Sequence, residues 1–196
     1  MRNAVSILTM LLLAFAGLAK AETWNIDLPH SSVGFSVRHM VVTKTHGKFN
    51  DFTGLINFDG KNPEKGSVEL TVQIASIDTD NKKRDDHLRS ADFFDVEKFP
   101  TMTFKSKKVI KGEGNKFKLI GDLTIKGITK EITFDCEFNG IVSDPMGNTR
   151  AGFSAHAKIN RQDFKITWSK SLDAGGLVVG NQVTINLEIE VIKAKS

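Results

Sequence analysis

The stretch Val183-Thr184-Ile185-Asn186-Leu187-Glu188-Ile189-Glu190-Val191 alternates branched apolar residues with polar ones at every step. A period of two puts Val183, Ile185, Leu187, Ile189 and Val191 on one face of a β-strand and the polar residues on the other. The same rhythm recurs upstream in Trp24, Ile26 and Leu28, in Val33, Phe35 and Val37, and in Val68, Leu70, Val72 and Ile74. It continues in Met102 and Phe104, in Phe117, Leu119, Leu123 and Ile125, in Ile132, Phe134, Cys136 and Phe138, and in Ala151, Phe153, Ala155, Ala157 and Ile159. Phe49 falls out of step with Phe52, Ile56 and Phe58, which predicts a bulge near Asn50-Asp51. Turn chemistry separates the stripes at Pro29-His30-Ser31, Asp59 to Pro63, Gly112-Glu113-Gly114, Lys126-Gly127 and Asp144 to Asn148. The pattern predicts one all-β domain, an antiparallel barrel of about eight strands with an apolar inner face.

Two stretches break the alternation. Residues 80–95 are highly charged, with Leu88, Phe93 and Phe94 as apolar contacts. They predict a short helical segment, capped by Asp80, over one barrel end. Residues 162–180 form a long connection carrying Trp168 and Gly175-Gly176, of the kind that compact domains use for function.

The chain opens with Arg2, an apolar run from Ala4 to Leu18, and the small-x-small site Ala19-Lys20-Ala21. This is the layout of a secretion signal over residues 1–21, cleaved after Ala21, with an exported domain over 22–196. The run falls short of the ~20 residues that span a bilayer, so no stable membrane insertion is expected. Without Arg2 and Lys20 the chain carries 25 basic and 23 acidic residues, a formal +2, and the lysines are scattered. That balance does not call for nucleic acid as a partner. Cys136 is the one cysteine and falls on a core stripe, so a buried, inert thiol is expected. Fourteen Phe and no Tyr suit a dry interior.

Three of the five inward positions on the Ala151–Ile159 stripe are alanine. Small residues facing large ones can be ordinary jigsaw packing, or they can leave a channel for one ligand. In the second case the inward side chains are the candidate ligand contacts: Phe35, Val37, His39, Phe49, Phe52, Ile56, Phe58, Val72, Met102, Phe104, Leu123, Ile132, Phe134, Phe153, Ala155 and Ala157, with Trp168 from the long connection. In the first case the barrel is filled and serves as an interaction module.

The five histidines fit no metal-ligand spacing, and a surface or loop-anchoring role is favoured for them. His39 shares parity with Phe35 and Val37, which would let it reach a ligand head group. Arg84, Asp85, Asp86 and His87 read either as an acid/base cluster or as a structural clasp, with Asp85 pinning backbone and Arg84 paired with an acid. No activated Ser or Cys accompanies them, so the clasp is preferred and no catalytic residue is assigned. An enzyme acting on an apolar substrate, through His39 or Arg84–His87, is the competing reading.

Ser76-Ile77-Asp78-Thr79 followed by Arg84-Asp85-Asp86-His87-Leu88-Arg89-Ser90-Ala91-Asp92-Phe93-Phe94 resembles the signature of the YceI-like, polyisoprenoid-binding family. Further motifs match in order: Asp27-Leu28-Pro29-His30-Ser31, Phe35-Ser36-Val37-Arg38-His39, Gly47-Lys48-Phe49, Phe99-Pro100, Gly121 to Lys130, and Arg161-Gln162-Asp163-Phe164. Lys126 stands where that family often has His, Lys165 where it often has Gly, and Trp24 where it often has Tyr. The resemblance implies a lipocalin-like barrel in the periplasm that carries or sequesters a long-chain isoprenoid or quinone-like lipid. It implies no required cofactor. Members are commonly dimeric, which makes a homodimer an expectation as well.

Overall fold

The computed structural model describes residues 21–170 and 177–195. The proposed signal segment, apart from Ala21, and the Gly175-Gly176 pair lie outside the described residues. Among the described residues eleven strands are formed: β1 (Glu22–Ile26), β2 (Ser32–His39), β3 (Thr43–Phe49), β4 (Phe52–Phe58), β5 (Ser67–Gln73), β6 (Ile77–Asp78), β7 (Thr101–Lys111), β8 (Lys116–Ile125), β9 (Ile128–Ser143), β10 (Thr149–Asn160) and β11 (Val179–Lys193). One helix, α1 (Lys82–Arg89), lies between β6 and β7.

The eleven strands make an eight-strand barrel because three of its staves are broken in two. β11 pairs with β2 along its first half and with β1 along its last turn, so β1 and β2 form one stave. Pro29 explains the break, since it cannot donate to the ladder. A single 3-10 turn, Leu28–His30, fills the gap. Ser31 restores the lost bonds: its hydroxyl donates to the Glu190 carbonyl and accepts from the Glu190 N–H. β3 and β4 form the second stave, broken at Asn50-Asp51 where the phase change in the sequence predicts it. β5 and β6 form the third, with a 3-10 turn at Ile74–Ser76. Antiparallel pairing of β4 with β5, β5 with β7, and each later strand with the next, closed by β1 on β11, completes the barrel.

The turns follow local chemistry. Lys126 and Gly127 both take positive φ (50° and 70°) between the paired Ile125 and Ile128, a two-residue hairpin of the primed type. At the β9–β10 hairpin one Asp144 carboxylate oxygen accepts the Met146 and Asn148 N–H groups. The helix cap differs from expectation. Asn81, not Asp80, accepts the Arg84 N–H, because Asp80 takes a positive φ of 57° and turns its own N–H to Asp78.

One end of the barrel is closed from within. Trp24 stacks on Phe58 with ring centroids 4.8 Å apart, and Phe138 and Phe153 meet Phe58 edge-on at 6.1 and 5.5 Å. Ala151 and Val191 complete this floor. Outside it, the Arg150 guanidinium gathers Asp27, Asp144 and Glu190, and so ties β1, the β9–β10 hairpin and β11 together. At the other end, α1 and the residues after it lie against the barrel, with Phe94 edge-on to Phe49.

A candidate ligand-binding lumen

Above the aromatic floor the barrel encloses a cavity of about 180 Å³. A single water needs roughly 10–15 Å³ on the same footing, so the space is an order of magnitude larger. Its lining runs from Ile56 and Ile189 near the floor to Val37, Val179 and Val183 at the far end. Leu88, Phe93 and Phe94 reach in from the α1 segment. Apart from Thr103 and Arg161, every side chain on this wall is hydrocarbon or thioether. Apolar cavities stay dry, and a dry cavity is a site for hydrocarbon.

Two glycines enlarge it. A Cβ on Gly47 would lie 2.4 Å from the Phe35 ring, and one on Gly121 would lie 2.5 Å from the Phe104 ring. Each phenyl group therefore folds onto bare backbone of the next strand instead of standing in the lumen. Gly47 is the cross-strand partner of Phe35, a pairing that strand register alone makes.

The sequence candidates divide between wall and frame. Phe35, Val37, Phe49, Ile56, Val72, Met102, Phe104, Leu123, Phe134 and Ala155 line the cavity. Phe58 and Phe153 belong to the floor. Phe52 is buried beside Val72 and Ile74, and Ala157 beside Phe164 and Ile166. Ile132 packs against the same cluster as Phe134 but is not part of the lining. Trp168 lies over Phe93 and His87, with ring centroids 5.2 and 4.9 Å away, as an outer layer of the α1 end. His39 ends β2 opposite Val179, half-buried and off the cavity wall. It is still laddered to Val179 and Thr43, but it is the last residue of β2 and stands beyond the lining.

Arg161 carries a signal that the alternation misses. It is 4 % exposed. Its five N–H groups all go to the chain beyond it: the Ile166, Trp168, Val179 and Gly180 carbonyls and the Asn181 side chain. Burial pulls its pKa down from the ordinary guanidinium value. It ties the Ile166 and Trp168 carbonyls to the start of β11 at the barrel end, and all its donors are engaged in that task.

The Arg84–His87 group is a clasp of the expected kind with one altered partner. Asp85 is buried and accepts from both the backbone N–H and the hydroxyl of Thr79. Among the described residues Arg84 does not pair with an acid. It donates to the Thr79 hydroxyl at 2.7 Å and the Thr79 carbonyl at 2.6 Å. His87 turns to Asp92 at 2.9 Å. None of these groups faces the cavity. Lys126 joins the same structure by donating to the Phe93 carbonyl at 2.7 Å, which anchors the lid-like segment to the β8–β9 turn. Cys136 is 7 % exposed, and burial pushes its thiol up to about 12.

A family model described as the YceI-like domain matches residues 24–191. A UPF0312 protein of Photorhabdus laumondii is 43% identical over 155 residues, 78% of this chain and 80% of its own length. Protein YceI of Salmonella newport is 40% identical over 168 residues, 85% and 87% of the two chains. Among solved structures, BcnA of Burkholderia cenocepacia superposes with a TM-score of 0.74 at 27% identity, covering 84% of this chain and 98% of that one. The YceI protein of Campylobacter jejuni gives 0.70 at 34% identity, covering 81% and 90%. A Saccharophagus degradans domain described as polyisoprenoid-binding shares the fold, with a TM-score of 0.65 at 14% identity over 87% and 98% of the chains. On the motifs, the barrel and these relatives together, the chain belongs to the YceI-like family.

Proposed function

We propose that the protein is an exported carrier or sequestering protein that holds a long-chain isoprenoid or quinone-like lipid in the barrel lumen. The observation that carries this reading is the dry cavity of about 180 Å³, walled almost wholly by hydrocarbon and floored by stacked rings. A buried methylene is worth about 0.8 kcal/mol on leaving water. Loss of tail freedom offsets part of that, so the pocket favours tight but length-tolerant binding. The description of the S. degradans domain supports the lipid class. The signal-like residues 1–21 support export to the periplasm. A binding role is favoured over catalysis because His39 and the Arg84–His87 group do not converge on the cavity.

Native mass spectrometry of gently purified protein tests the reading, with delipidated protein offered long-chain isoprenoid alcohols and quinones. The expected result is a co-purifying long-chain lipid that is exchanged for the added ones. Protein that is always empty and ignores them would sink the idea.

A further inference from the structure

The β2–β3 hairpin ends in an unusual tip. Val42 N–H bonds back to the His39 carbonyl at 3.2 Å, and the two central residues, Met40 and Val41, have φ of 48° and 67°. A turn of this primed type asks for Asn-Gly, and a β-branched residue at positive φ is strained. Yet the tip places Met40, Val41 and Val42 in solvent at 43, 59 and 82 % exposure. Three neighbouring apolar side chains in water, two of them on a backbone that suits neither, gain nothing for the fold.

The stretch around them carries one sign of charge, although Lys48 at its far end lies opposite Asp78 of β6. Residues 38–49 hold Arg38, Lys44 and Lys48 with His39 and His46, and no acid. That is +3 within twelve residues of a chain that carries +4 in all. Arg38 and Lys44 are exposed and directly opposite one another across the hairpin, a like-charge pairing that destabilises strands. Neither makes an ion pair among the described residues. The Met40 N–H bonds the Val178 carbonyl, next to Val179 on the cavity wall, so the tip stands at the far end of the lumen from the floor. The β9–β10 hairpin at the floor end is a counterexample within the same molecule. Val142 and Met146 are exposed there too, but beside Asp144, whose carboxyl Asn148 and Arg150 hold well below its ordinary range.

The geometry points to the Met40–Val42 tip as the element that docks the protein on an anionic lipid surface, with the apolar residues in the acyl boundary and Arg38 and Lys44 against the head groups. An apolar point with a basic collar fits that partner, whereas a protein partner of no stated charge would not ask for the collar. The inference rests on the carrier reading for its purpose, because docking here sets the lumen's far end at the membrane. It does not rest on that reading for its test.

Flotation with phosphatidylcholine vesicles, with and without phosphatidylglycerol, reads the binding. Wild type is expected to float with the anionic vesicles and to be released by salt. Met40→Asn with Val41→Gly supplies the residues the turn prefers, so it should melt no lower than wild type while losing about ten-fold or more in binding. Replacing Arg38 and Lys44 with Ser should lose on the order of five-fold per charge. Met146→Asn at the opposite end should change nothing. Wild type that ignores anionic vesicles overturns the proposal, and so does unchanged binding by the Asn-Gly variant. A dimer that the Asn-Gly variant dissolves also overturns it, because the tip is then a self-contact. Anionic-vesicle binding by a protein whose lumen never holds lipid would leave the docking tip standing and remove the carrier reading alone.

Discussion

The floor and the upper lumen are built from the same alternating strands, yet one is filled and the other is not. In the floor, Trp24, Phe58, Phe138 and Phe153 present four rings to one another across β1, β4, β9 and β10, and they meet in the middle. In the upper lumen the rings line a space that stays open. Phe35 lies on Gly47, Phe104 lies on Gly121, and Ala155 faces them from β10. The difference lies in where rings point and what they rest on, not in hydrophobicity. An inward stripe therefore says which face is dry. It does not say whether the dry space is occupied.

The largest way to break the contrast is to empty the floor. Phe58 is 1 % exposed and touches all three other rings. Phe58→Ala should cost about 3–5 kcal/mol in denaturant unfolding. A change below 1 kcal/mol would mean that the floor is not a rigid plug.

Next comes the polar clamp outside the floor. Burial alone would raise the Asp27 carboxyl, but its bonds from Arg150 and His30 hold it below its ordinary value, and Asp144 is lowered too. Folded values below the unfolded ones mean that this stabilisation is complete above the usual carboxylate pKa of about 3.9. It is lost as pH falls through the folded values. Arg150→Met should lower the melting temperature at neutral pH and flatten the acid limb of the melting profile, where wild type should fall off only below about pH 4.

The upper lumen should respond more mildly. Gly47→Ala pushes the free end of the Phe35 ring toward the cavity, at a cost of about 1 kcal/mol and with less bound lipid by mass spectrometry. Ala155→Phe places a ring in open space and should change stability by less than about 1 kcal/mol while removing the lipid; in a packed barrel it would cost about 1–3 kcal/mol. Retained lipid in a well-folded Ala155→Phe protein would show that the tail runs along other strands. The smallest effect is kinetic. Cys136, with its thiol near 12, should resist thiol reagents at pH 8 until the chain unfolds, and early labelling would reveal opening of β8 from β9.

The strands, their inner faces and the phase change at Asn50-Asp51 were legible because period two needs no tertiary knowledge. The fate of Phe58 and Phe153 was not, since wall and floor residues share one parity and only height along the barrel separates them. Gly47 and Gly121 were invisible as lumen determinants because their role depends on which ring of the neighbouring strand lies over them. His39 shares the inward parity, but as the last residue of β2 it stands beyond the cavity lining, and parity alone does not give that height. Arg161 could have been suspected, as an arginine directly after a core stripe. Its partners, split between Ile166 and Trp168 and the first residues of β11, required the fold.

The seam made by β11 has a consequence for how the molecule assembles. Trp24 pairs opposite Lys193, and Val33 opposite Leu187, so both halves of the first stave wait for the last strand in the chain. Such long-range pairing is slow to form, in the range of milliseconds to seconds for sheets of high contact order. Until it forms, β1, β2 and β10 each present an unpaired edge, and the greasy interior stands open along its whole length. That interval is when a half-made barrel is most prone to aggregate, and it is also when a bulky chain could be wrapped by the closing wall instead of being threaded in afterwards.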